Sequence, residues 1–130
     1  MTRPGEIGAV RKSRGTAVPV ALVYPNTYAV GMGNLGFQYV YGALNAHPRL
    51  AAERFFLPEP GVVRKHVAGI VSEESGRPLR DFPLIAFSVP FENDYPTVPG
   101  MLSSAGIAPL RNDRGPAEPF VIAGGVSVSS

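Results

Sequence analysis

The sequence predicts an α/β domain: a three-layer, doubly wound, mostly parallel sheet with helices on both faces. Three observations carry that expectation. Near-continuous apolar runs at residues 18–24, 82–89 and 120–123 read as strands covered on both faces, as parallel sheets require. Between them lie segments whose apolar residues recur at helical spacing. Proline or glycine punctuates the junctions, and the 15 glycines and 14 prolines imply many tight connections.

Residues 1–16 are polar and carry Arg3, Arg11, Lys12 and Arg14, which reads as a solvated arm ahead of a domain over residues 17–130. Val18, Val20, Ala21, Leu22, Val23 and Tyr24 form the first strand, and Pro25 should stop it by withholding a backbone N–H. After a glycine-rich loop, Phe37, Val40, Tyr41 and Leu44 fall at i, i+3, i+4 and i+7, one helical stripe facing the sheet. Asn34 or Asn26 can cap that helix, and Pro48 ends it after His47. Residues 53–57 read as the second strand, opened by Glu53 and stopped by Pro58 and Pro60. Residues 61–70 suit either a short helix or, because of Gly69, a loop.

Residues 72–80 hold a Gly-Arg-Pro turn, and residues 82–89 form the third strand, ended by Pro90. Asn93 or Asp94 is expected to cap a helix starting near Thr97, with Val98, Met101, Leu102 and Ala105 toward the sheet and Gly106 as its stop. Residues 107–110 are expected to start a short strand, residues 111–119 to form a loop, and residues 120–123 the last strand. A doubly wound domain continues into a further helix at that point, so the sequence reads as part of a longer protein, cut before that helix.

Composition narrows the function classes. The chain has 130 residues, 45% hydrophobic and 17% charged, which suits one globular domain and not a disordered segment. A net charge of +2 with scattered basic residues gives no nucleic-acid surface. No apolar run is long enough to span a membrane, and the N-terminus lacks an apolar signal core, so the expected location is the cytoplasm. With no cysteine, the chain itself holds no disulfide, no Cys-ligated zinc and no Cys-bound iron–sulfur cluster.

Gly31-Met32-Gly33-Asn34-Leu35-Gly36 matches G-x-G-x-x-G, and Glu53 lies twenty residues past Gly33. In a dinucleotide site the first glycine sits at the strand-to-helix turn and the acid closes the second strand. Here residues 25–30 intervene and Glu53 opens its strand, so the favoured reading is that these glycines permit positive φ and close helix–sheet packing. The candidate site is instead the rim where the first, third and last strands end. It gathers Asn26, Thr27 and Tyr28, then Ser88 with Glu92, Asn93 and Asp94, then Gly124 and Gly125, around the crevice where this architecture places a flat ligand.

Residues 24–36 (YPNTYAVGMGNLG), 52–56 (AERFF), 74–79 (ESGRPL), 86–88 (AFS), 91–95 (FENDY) and 122–125 (IAGG) resemble the cobalamin (vitamin B12)-binding-like N-terminal domain of radical-SAM proteins, and more closely a bacterial group of such proteins. The resemblance covers most of residues 18–128 and implies a flavodoxin-like or cobalamin-binding-like fold. It implies a non-catalytic cofactor- or substrate-binding domain attached to a downstream radical-SAM domain, which would hold the 4Fe–4S cluster and S-adenosylmethionine. Cobalamin domains with a cobalt-ligating histidine carry Asp-x-His-x-x-Gly after the first strand; the loop here has no histidine. The corrinoid site implied is therefore either histidine-independent or vestigial. Asn26, Thr27, Tyr28, Gly31, Gly33, Ser88, Glu92, Asn93, Gly124 and Gly125 are the candidate cofactor contacts.

His47 at a helix end and His66 beside Arg64 and Lys65 lack a second ligand at metal spacing, and Ser88 has no base nearby in sequence. Glu92 and Asp94 could do acid–base work at a rim crevice, against a capping role for Asp94. Three readings stay open: a ligand-binding domain of a radical-SAM enzyme, a docking module without a small-molecule ligand, and a dinucleotide-binding domain.

Overall fold

The computed structural model describes residues 17–59, 70–90, 94, 96–109 and 114–124. Strand β1 (Val18–Thr27) leads through a one-turn helix α1 (Tyr28–Met32) into α2 (Leu35–Ala46) and strand β2 (Leu50–Leu57). A short 3-10 turn (Leu79–Asp81) precedes β3 (Leu84–Ser88), and α3 (Thr97–Ser104) precedes β4 (Phe120–Gly124). The four strands form one parallel sheet in the order β2-β1-β3-β4. The expected three-layer α/β architecture is therefore present.

The topology divides the core in two. On one face, Phe37 and Tyr41 of α2 pack on Val20, Leu22, Tyr24, Ala52 and Phe56. On the other, Met101 and Leu102 of α3 join Ile70, Leu79, Phe82 and Ile107 against Ala21, Val23, Phe55, Ile85 and Phe87. Successive right-handed crossovers explain the division: the chain steps one way across the sheet from β1 to β2, then the other way to β3 and β4. Tyr24, Phe37, Tyr28 and Phe56 interlock through ring contacts of 5.2–5.4 Å on the α2 face.

Local signals explain most boundaries. Asn34 caps α2, its side chain accepting from Phe37 N at 2.9 Å. Gly106 ends α3 at φ +76°, with Gly106 N bonded to Ser103 O and Ile107 N to Leu102 O. That reverse turn buries Ile107 against the sheet, so the short strand expected from residue 107 is absent at residues 107–109; the apolar residue there completes a helix end. Pro99 sits in the first turn of α3, where its missing N–H costs nothing.

Three other expectations need correction. Pro25 does not end β1: the strand runs to Thr27, with its pairing to β2 interrupted between Val23 and Thr27 and resumed at Thr27–Leu57. The irregularity absorbs the missing donor. β2 starts three residues earlier than expected, so Glu53 lies inside it and is buried. Within the α2 stripe, Val40 is 39% exposed and Asn45 is buried in its place. The helix expected at residues 61–70 lies outside the described residues apart from Ile70.

Candidate functional site

The C-terminal rim brings some predicted residues together. Asn26 and Thr27 end β1, Ser88 ends β3 and Gly124 ends β4. Ser88 and Gly124 are direct neighbours across the ladder, and Val89 N donates to Gly124 O at 2.8 Å. The Asn26 side chain is already engaged: its amide donates to Asp94 Oδ1 at 3.2 Å and its carbonyl oxygen accepts from Thr27 N at 2.8 Å. Asp94 is thus a partner of Asn26 and not the cap of α3, whose N-cap is Pro96. Glu92, Asn93 and Gly125 lie outside the described residues, as does His66.

The remaining predicted residues turn away from the rim. Tyr28 opens α1 and sets its ring edge-on to Phe56 at 5.2 Å. Gly31 is buried in α1, where a Cβ would stand 3.1 Å from Tyr24 Cγ and closer still to the Phe56 ring. Gly31 therefore supplies close helix–sheet packing, as expected. Positive φ is not its reason: among the described residues only Gly76 and Gly106 adopt it. Gly33 is exposed, and its N–H donates to Ala29 O at 3.2 Å, which leaves no free donor for a phosphate there. The N-terminal turn of α2 is likewise partnered at Phe37 N by Asn34.

Beneath this rim lies Tyr24, fully buried, whose hydroxyl has no hydrogen-bond partner among the described residues. Burial raises its pKa above 10.0, and the Asp94 carboxylate adds to the rise; the Asn34 side chain pulls the other way without reaching hydrogen-bonding geometry. The residues at the rim do not fit a histidine-ligated corrinoid: the loop after β1 has no imidazole, and Asn26, nearest the position of the missing acid, is committed to Asp94 and Thr27. Among the described residues, no group of three metal-ligating side chains comes together.

The most developed polar constellation lies elsewhere, along the outer edge of β2. Glu74 Oε1 accepts from Arg54 N at 2.8 Å, and Glu74 Oε2 accepts from Arg54 Nε at 2.7 Å and from the Tyr41 hydroxyl at 2.6 Å. The Arg54 guanidinium lies 4.8 Å from the Tyr41 ring centre. Glu53, read above as opening a strand, accepts from Ser72 Oγ at 2.7 Å and from Ser75 Oγ. By sequence alone, residues 72–80 read as a loop with a Gly-Arg-Pro turn. The available signal was the pair Glu53-Arg54 inside an apolar strand, two charges that burial obliges to find partners.

At the opposite end of the sheet, a cavity of about 860 Å³ is lined in part by Arg80, Arg114, Glu118, Phe120 and Ile122. Arg80 donates to Glu118 Oε1 at 3.1 Å and to the Gly106 carbonyl, and Arg114 to the carbonyl of Ala108 at 2.9 Å. Both guanidinium groups thus serve to tie loops together.

No helix among the described residues is long and apolar enough to cross a membrane. Neither the curated proteins nor the solved structures include a match to this chain. Residues 36–130, from the first turn of α2 onward, match the family described as radical SAM proteins, N-terminal, and the chain belongs to that family.

Proposed function

We propose that this chain is a docking domain of a radical-SAM protein, one that carries no chemistry of its own and presents a surface to the rest of its polypeptide. Family membership supports the attachment to a radical-SAM protein. The observation that carries docking is the uncovered apolar surface of β4, where Phe120 and Ile122 are 63% and 45% exposed. The 4Fe–4S cluster and S-adenosylmethionine belong, on this reading, to a partner domain of the same polypeptide, since this chain supplies no cysteine.

A second reading keeps the C-terminal rim as a site for a flat ligand, including a corrinoid bound without a histidine. Its support is the adjacency of Ser88 and exposed Gly124 together with the unpartnered Tyr24 hydroxyl below. One experiment separates the two. Thermal unfolding is followed with hydroxocobalamin, S-adenosylmethionine or NAD, since a ligand at a hundred times its dissociation constant stabilises by about 2.7 kcal/mol. Docking alone predicts no shift with any of them. A shift with hydroxocobalamin and a perturbed visible spectrum retained after desalting would overturn it in favour of the rim site.

A further inference from the structure

On the α2 face, side chains stand in rows across the sheet, set by the register. One row runs Ala52, Val20, Leu84, Phe120; the next runs Arg54, Leu22, Ala86, Ile122. Burial falls along each row. The β2 and β1 members are at most 2% exposed, Leu84 and Ala86 are half-buried, and Phe120 and Ile122 are largely open. Geometry accounts for the gradient. Four strands about 4.8 Å apart make a sheet wider than one helix of roughly 10 Å can cover. The opposite face has both α3 and the segment with Ile70, Leu79 and Phe82; this face has α2 with its short leader α1.

The flank of α2 that borders the open rows is itself suited to a neighbour. Asn45 bonds to Ala52 on β2, which fixes that flank toward the β2 edge. At 100° per residue, Gly36, Val40 and Ala43 lie on the other flank, toward β3, and all three are exposed. Small residues there allow a second helix to approach closely. Among the described residues, no strand pairs with the outer edge of β4. Phe120 N bonds to Pro83 O and Gly124 O accepts from Val89 N, so alternation turns the backbone groups of Val121 and Ala123 outward. The strand contains no charge and no proline, the devices that blunt a free edge.

Resting on the docking reading, we propose that this open groove beside α2, floored by Leu84, Ala86, Phe120 and Ile122, is covered by an amphipathic helix from the same radical-SAM polypeptide, downstream of the family-matched region. The occupant lies antiparallel or parallel to α2 as its partner on that face and buries the two rows. The chain's family places it ahead of further radical-SAM sequence, which makes a covalently attached segment the natural source of that helix.

The test uses the full gene-encoded protein with single reporters Phe120→Cys, Ile122→Cys and, on the outer side of α2, Tyr39→Cys, where Tyr39 is 77% exposed. Alkylation by iodoacetamide is followed by peptide mass, and a benzophenone maleimide on Ile122→Cys maps the neighbour. The expected result is labelling at positions 120 and 122 at least tenfold slower than at position 39, independent of protein concentration, with crosslinks to a peptide beyond residue 130. Equal rates at all three positions overturn the proposal. Protection that disappears on dilution assigns the groove to a second copy, and protection lost on deleting residues 1–16 assigns it to the N-terminal residues; either overturns it too. A ligand shift in the preceding experiment sinks the docking reading at the rim, whereas an open groove without such a shift sinks this proposal and removes the β4 surface as support for docking, leaving the family assignment untouched.

Discussion

The two edges of the sheet solve the same problem differently. β2 presents backbone groups at the outer edge, and side chains close them. Asn45 pairs with both the N–H and C=O of Ala52, Glu74 accepts from Arg54 N, and Glu73 N donates to Arg54 O at 2.9 Å. The turn over residues 72–77 thus covers that edge, held by a buried ion pair. Among the described residues β4 has no such cover, and its apolar side chains Phe120 and Ile122 are exposed. One edge is finished within the chain. The other is an uncharged, β-branched edge of the kind that natural proteins otherwise blunt.

The largest expected effect tests the closed edge. Glu74→Ala takes the carboxylate away from the Arg54 guanidinium, 1% exposed, and from its backbone N–H. Removing one partner of a buried pair costs about 3–5 kcal/mol, so urea unfolding should show a loss of that size. A loss below about 1 kcal/mol would mean that the closure is ornamental. Next comes Gly31→Ala, whose Cβ would meet the Phe56 ring, with Cδ1 at 2.9 Å, in the packed aromatic cluster above β2. Overpacking of this kind costs about 1–3 kcal/mol, read as a lower melting temperature.

Tyr24→Phe gives a smaller effect of opposite sign. The buried hydroxyl has no partner among the described residues, and removing it should stabilise by about 1 kcal/mol at neutral pH. The pH dependence follows from the raised pKa. The folded chain holds the proton more tightly than the unfolded chain, so wild-type stability is at its plateau below pH 10.0 and falls as pH rises from there through the folded value. Urea midpoints above pH 10.0 should therefore fall further for the wild-type chain than for Tyr24→Phe. Smallest is Phe120→Thr on the open edge, expected to change stability by no more than about 0.5 kcal/mol in the 130-residue chain, because the side chain is 63% exposed and threonine keeps strand preference. A larger loss would show that Phe120 already has a partner in this chain.

Much of the fold was legible because its signals are local. The apolar run at β1, the Phe37–Tyr41 stripe, the Asn34 cap and the Gly106 stop each act within a few residues. Misreadings arose where a local signal met a distant partner. Pro25 reads as a stop until β2 is present to resume pairing at Leu57. Asp94 reads as a helix cap until Asn26, 68 residues away, claims it. Glu53 reads as a boundary until Ser72 supplies a donor. At the candidate rim, sequence order correctly brought Asn26, Ser88 and Gly124 to the same strand ends, because the ends of parallel strands share one side. It could not show that Tyr28 and Gly31 serve the aromatic cluster, since packing depends on which ring fills the space between α1 and β2.

By itself the sequence determined the alternation of buried strands and helices, because burial on two faces demands runs of apolar residues whose period the chain displays directly. Tertiary structure alone decided which edge is closed and which stays open. That outcome depends on strand order and on side chains such as Glu74 and Asn45 reaching across the fold, and neither is written in any short window of residues.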